Sequence, residues 1–312
     1  EYDGNINSGI SKKVLSQVAR IRDLGNQCGL YFITPKIDDL SKCQDVKQIL
    51  YPGPPYKSLI AKIRSVAAIK GILIELLNSF DSKEVILFRY MYPFPFFAKA
   101  IKNKNVFLEL VSNPVQEAKL RGSFLYLFLF KIFKNEIANC SKGVIAVTPD
   151  LIDITFPKLN KNVPRLVVGN GIDVSLVRLS SKYKQKDSIV FTCVANISKW
   201  HGLDRFLEGL SRYNGQEKII FNIVGNGMEK DNLINLVETL GISESVVFHG
   251  ERNGGELDEI FNSTDIGVGN LGTFRKQIKF TSPLKSREYC ARGIPFIYTC
   301  RDQDFPTYFS LA

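Results

Sequence analysis

Short apolar runs recur along this chain, each followed by a turn and then by a stretch in which apolar residues return every three or four positions. The helical spacing predicts helices over 8–26 and 58–80 and a long helical tract over 114–140, while the short runs predict strands over 29–34, 85–90, 106–111 and 143–147. In the second half the same reading predicts strands over 189–194, 218–224, 245–249, 266–269 and 294–298. Alternation of this kind implies mostly parallel sheets covered by helices. It occurs twice, on either side of a polar, basic stretch at 171–187. The expected fold class is therefore α/β, with two Rossmann-like domains, 1–180 and 181–312, facing each other across a cleft. Ligands of open parallel sheets collect there, at the carboxyl ends of the strands. Glu1 opens the chain without an initiator Met, and Ala312 ends it abruptly, so the chain is expected to be a fragment clipped at both ends with an incomplete second domain.

Charge changes the picture more than composition does. The net charge of +10 lies wholly in residues 1–180, which hold 25 Lys and Arg against 15 Asp and Glu; residues 181–312 hold 16 of each. A basic first domain favours anionic partners, among them acidic lipid headgroups, a lipid diphosphate or nucleic acid; a merely soluble basic surface fits the same numbers. Six cysteines (28, 43, 140, 193, 290 and 300) show no C-x-x-C spacing, and there are two histidines. That pattern suits reduced core thiols in a cytoplasmic protein and excludes a disulfide frame or a zinc cluster. No apolar stretch reaches the ~20 residues that span a bilayer.

The densest chemistry lies in TSPLKSREYCARGIPFI, residues 281–297. Lys285 and Glu288 share one face of a helix opened by Ser282-Pro283. A lysine at a helix N-terminus meets phosphate, and an acid one turn on accepts hydrogen bonds from sugar hydroxyls. A surface i,i+3 ion pair fits the same spacing. In FLELVSNP, Glu109 sits in an apolar strand and Asn113 follows it, which makes them acceptor-side candidates; a buried structural pair of Glu109 with Arg89 is the competing reading. The aromatic, lysine-bearing stretch 124–137 reads as an interfacial helix touching lipid or as a core helix. Arg301-Asp-Gln-Asp304 reads as a polar loop.

In order, IVFTCVANISKWHGLD (189–204), KIIFNIVGNGMEK (218–230), SVVFHGERNGGELDEI (245–260) and the segment at 281–297 resemble the donor half of the family 4 (group 1) glycosyltransferases of the GT-B fold. Upstream, ILFRYMYP (86–93), VFLELVSNPVQEAKLRG (106–122), GVIAVTPDL (143–151) and LVVGNGIDV (166–174) resemble the acceptor half of bacterial members that build surface polysaccharides. The resemblance implies that Lys199, His201 and Lys285 stabilise the donor diphosphate as it leaves, that Asn196, Gly225 and Gly227 border the nucleotide, that Glu288 holds ribose, and that the loop at Gly9 presents backbone N–H groups. The sequence departs from the pattern at three positions: Asn196 stands where relatives carry Arg, His201 where they carry Lys, and Phe280 where the first acid of a paired-Glu motif falls. Orientation of the donor sugar would then fall to backbone groups or to Thr273, Arg275, Lys276 or Lys279.

The implied function is transfer of a sugar, with retention, from a nucleotide-diphosphate-sugar to a lipid-linked or saccharide acceptor in cell-surface polysaccharide synthesis. The setting would be the cytoplasm, at the inner face of an anionic membrane. No cofactor and no metal are expected, the donor being a substrate. A nucleotide-sugar 2-epimerase on the same fold, or a non-catalytic polyanion-binding protein, are the competing readings. The first lacks an evident acid/base set around a sugar, and the second lacks exposed, interleaved arginine and aromatic residues.

Overall fold

The computed structural model describes residues 9–34, 46–52, 58–90, 93–120, 124–180 and 187–306. Residues 181–186 of the basic stretch, Cys43 and both chain ends lie outside them. Helix α1 (Gly9–Asp23) leads to β1 (Leu30–Thr34), which pairs in parallel with β2 (Val46–Leu50). There follow α2 (Leu59–Ser79), β3 (Val85–Arg89), α3 (Phe97–Ile101), β4 (Asn105–Leu110), α4 (Pro114–Leu120), α5 (Phe124–Cys140), β5 (Gly143–Ala146), α6 (Pro149–Thr155) and β6 (Arg165–Val167). Strands β3-β4-β5-β6 form a sheet in that order. Val106, Leu108 and Leu110 of β4 are buried together with Glu109, as befits a strand covered on both faces. The tract expected as one helix over 114–140 is two helices, α4 and α5.

The second half runs β7 (Ser188–Val194), α7 (Leu203–Ser211), β8 (Lys218–Val224), α8 (Lys230–Thr239), β9 (Val246–Gly250), α9 (Gly254–Ser263), β10 (Ile266–Val268), β11 (Phe280–Thr281), α10 (Leu284–Arg292), β12 (Phe296–Ile297) and β13 (Arg301–Asp302). Its main sheet has the order β12-β10-β7-β8-β9, with parallel pairing throughout. The first strand, β7, is central; the chain winds outward through β8 and β9, then crosses to β10 and β12. The winding direction reverses at the β7/β10 pair, the position where doubly wound sheets bind ligands. Phe221, Leu207, Ile197 and Val268 fill one face, and Phe261, Tyr289 and Phe296 the other. Gly267 of β10 is held to glycine by Tyr289, whose ring would lie 2.7 Å from an added Cβ.

By contacts the chain groups into two compact units. One comprises Glu1–Leu110, Phe124–Ile145 and Phe156–Leu166; the other comprises Val111–Ser123, Ala146–Thr155 and Val167–Ala312. The segments that follow β4 and β5 thus group with the second sheet.

Candidate functional site

Two loops leave the carboxyl ends of β7 and β10, and the backbone locks them together. Residues Lys199–His201 form a 3-10 turn closed by Gly202, whose φ of +66° is the left-handed region. A Cβ on Gly202 would run into the backbone of Leu271 and Gly272. The Leu271 N–H donates to the His201 carbonyl at 2.9 Å, and Arg205 Nη1 donates to the Leu271 carbonyl at 2.6 Å.

His201 is buried, and its Nδ1 accepts the Ser198 N–H at 3.1 Å. That bond places the ring proton on Nε2. Burial drives the pKa well below its ordinary value, and the nearby Lys285 and Lys276 ammonium groups push it the same way. His201 is therefore a neutral N–H donor.

Lys285 is the second residue of α10, half-buried, with Nζ 3.5 Å from Cys193 Sγ near the end of β7. Tyr289 fixes the helix: its hydroxyl lies 3.2 Å from the Thr192 carbonyl and 3.1 Å from the Val268 carbonyl, so α10 is tied to β7 and β10 together. Glu288 Oε1 accepts from Arg292 Nη2 at 3.0 Å and Nε at 3.2 Å, and Arg292 also meets Asp258 at 2.8 Å. Glu288 Oε2 takes no hydrogen bond from the described residues.

A third cation joins this group. Lys276 is buried, with Nζ 2.5 Å from Glu117 Oε1 and 4.2 Å from the centroid of the Trp200 ring. Asn113 is fully buried; its Oδ1 accepts the Gln116 N–H at 3.2 Å, and its Nδ2 donates to the Lys276 carbonyl at 3.4 Å. The side chain thus steadies both the start of α4 and the Lys276 loop. Trp200, Asn270, Thr273, Lys276, Thr281 and Ser282 border a recess of about 80 Å³ within the second unit. Among the other loop candidates, Arg275 is committed to Asp204 at 2.6 and 3.0 Å and to the Lys199 carbonyl at 2.5 Å, and Lys279 is exposed.

The remaining sequence candidates divide. Asn196 is exposed. The Lys199 side chain is half exposed, with Nζ 4.0 Å from Glu229 Oε1. Gly225 (φ +120°) and Gly227 (φ +154°) lie against the Ala195 and Ile197 carbonyls, which an added Cβ would strike; the Gly225 N–H donates to the Gly250 carbonyl at 2.7 Å. Glu109 and Gly9 belong to the first unit, where Glu109 meets Lys13 Nζ of α1 at 3.0 Å with both side chains buried. Burial lowers the Lys13 pKa; Glu109 opposes that shift.

The Asp-x-Asp at 302–304, expected to be a plain polar loop, is an ion-pair partner. Arg287 Nη1 and Nη2 meet Asp302 at 2.5 and 2.9 Å, and Nη2 also meets Asp304 and, at 2.8 Å, Ser282 Oγ. Sequence reasoning missed Arg287, Asn270, Glu117 and Tyr289. Of these only Arg287, six residues before the Gly293-Ile294-Pro295 that leads into β12, offered a signal. Five cysteines are described as free; Cys193 is buried and the other four half-buried. Among the described residues, no group of three His, Cys, Asp or Glu could hold a metal, and no helix is long and apolar enough to cross a membrane.

Residues 179–299 match the family model described as Glycosyl transferases group 1. The matched stretch runs from before β7 to just after β12. That region contains both switch-point loops and α10. An Escherichia coli O-antigen biosynthesis glycosyltransferase, WclY, is 23% identical over 242 residues, covering 73% of this chain. The chain spans 62% of that relative's length. WaaG, a glycosyltransferase involved in lipopolysaccharide biosynthesis, superposes with a TM-score of 0.67 at 14% identity, covering 97% of this chain and 81% of WaaG. HepE from Anabaena, in complex with UDP and glucose, gives 0.64 at 13% identity, covering 97% and 80%. These likenesses show the fold, which is that of the GT-B glycosyltransferases.

Proposed function

We propose that the chain transfers a sugar, with retention, from a nucleotide-diphosphate-sugar to a lipid-linked or saccharide acceptor in cell-surface polysaccharide synthesis. The observation that carries this reading is the convergence of Lys285, neutral His201 and Lys276 at the switch point of a group 1 region. Lys285 and the N–H of His201 would receive the leaving diphosphate, and Glu288 Oε2 would accept from ribose. Charge on the departing phosphate would be stabilised by fixed donors, the usual largest contribution in such transfers, with no metal and no cofactor. The diphosphate oxygen would take the acceptor proton. Residues 1–180 would carry the acceptor and 181–312 the donor. The relatives act in O-antigen and lipopolysaccharide synthesis, which supports a surface saccharide as product.

Contact with an anionic membrane, at the inner face of the cytoplasmic membrane, belongs to the same reading. Phe124, Phe128 and Ile132 recur every fourth residue on α5 and are 83%, 61% and 49% exposed, with exposed Lys131 beside them. The net +10 of residues 1–180 complements acidic headgroups. Titration calorimetry of the protein with UDP and with GDP tests the donor site: one of the two should bind, and heat from neither would refute the reading.

A further inference from the structure

The recess beside the cations contains two polar atoms that the fold leaves unanswered. Thr273 is 2% exposed and its Oγ1 has no hydrogen-bond partner; the buried Oδ1 of Asn270 has none either. Both residues border the same recess, as do Trp200 and Lys276. Buried hydroxyl and amide oxygens are normally hydrogen-bonded, so such a pair marks a place where a ligand or water completes the set. At about 80 Å³ the recess exceeds what one water fills.

The chemistry of the walls selects the ligand. Asn270 Oδ1 only accepts, so it requires a donor; Thr273 Oγ1 both gives and accepts. Trp200 supplies an apolar wall. Lys276, the one cation at the wall among the described residues, already has a carboxylate 2.5 Å away in Glu117, and Asn270 Oδ1 repels another anion. A neutral ring bearing several hydroxyls meets all of these conditions, and an acidic ring does not. We propose that this recess receives the transferred sugar of the donor, that Thr273 and Asn270 read its hydroxyls, and that the sugar is a neutral hexose rather than a uronic acid. The inference rests on the donor reading of the Lys285 site. It also answers the substitution of Phe280 for the first paired acid, because orientation of the sugar passes to the loop after β10.

The test compares each nucleotide sugar with its own nucleoside diphosphate, using UDP, UDP-glucose, UDP-galactose, UDP-glucuronic acid, GDP and GDP-mannose by calorimetry. In the unmodified protein at least one neutral conjugate should bind more tightly than its nucleoside diphosphate, and UDP-glucuronic acid should not. Thr273→Val should weaken that conjugate by roughly five- to tenfold, the worth of one neutral hydrogen bond, and leave the nucleoside diphosphate unchanged. Thr273→Ser should restore it. The thermal midpoint of Thr273→Val should not fall, since the hydroxyl removed supports nothing in the fold. An undiminished gain from the sugar in Thr273→Val, the outcome if the recess holds ordered water only, would overturn the inference. So would tighter binding of the glucuronic acid conjugate. Failure of every nucleoside diphosphate to bind would instead strike the donor reading, and this inference with it.

Discussion

A pH titration of stability probes the electrostatics of the switch point without any knowledge of the substrate. In the unfolded chain the His201 imidazole takes up a proton near its ordinary pKa of 6.5, whereas the folded chain holds that pKa well below this value through burial and the two lysines. Between the two the unfolded state binds more protons, so the free energy of unfolding rises with pH. The contribution of neutral His201 is therefore fully present above pH 6.5 and is lost as the pH falls. The limiting slope for one such group is about 1.4 kcal/mol per pH unit, which amounts to roughly 1.3 kcal/mol between pH 7.5 and 5.5. His201→Asn is the suitable comparison, because its Oδ1 can still accept the Ser198 N–H while nothing titrates. The assay is urea denaturation of both proteins at half-unit steps of pH, read as the difference between them. His249, whose pKa is also lowered by burial, is common to both and cancels. The wild type should lose roughly 1.3 kcal/mol relative to the variant on acidification over this range. Parallel curves would refute the reasoning.

Two further outcomes follow from the geometry. Arg287→Met should cost about 3–5 kcal/mol in chemical denaturation, since it leaves Asp302, 2% exposed, as an uncompensated buried charge; adding Asp302→Asn should recover part of the loss, and strict additivity of the two would contradict the pairing. Phe124→Asp with Phe128→Asp should weaken co-sedimentation with vesicles containing anionic lipid by at least about tenfold, because each exposed ring forfeits on the order of 1.5–3 kcal/mol of burial in lipid; unchanged partitioning would exclude this face of α5.

Periodicity made the second half legible because each of its longer strands is a short apolar run buried on both faces. Strands predicted over 189–194 and 218–224 are β7 and β8 within a residue. The last predicted strand, 294–298, contracts to Phe296–Ile297, since flanking apolar residues such as Ile294 pack as core without joining the ladder. The tract at 114–140 read as one element because the apolar residues on either side of Arg121-Gly122-Ser123 keep helical spacing, and that short glycine-bearing break was passed over. The candidate site was legible in placement where a residue type carries its own chemistry: Lys285 and Glu288 both fall on α10, and Gly225 and Gly227 at tight turns. It was not legible where chemistry depends on partners far along the chain. Glu117 meets Lys276 across 159 positions, Asn113 meets the same loop across 163, and Asp204 holds Arg275 across 71. Nothing in local spacing distinguishes Arg275, which is committed to the scaffold, from Lys276, which borders the recess.

The most direct measurement of the central claim is the preference for a second phosphate. Calorimetry should give a nucleoside diphosphate binding more tightly than the matching monophosphate in the wild type, and Lys285→Ala should erase most of that difference, on the order of tenfold or more for a charge-assisted hydrogen bond. A Lys285→Ala protein that keeps the full preference would contradict the account.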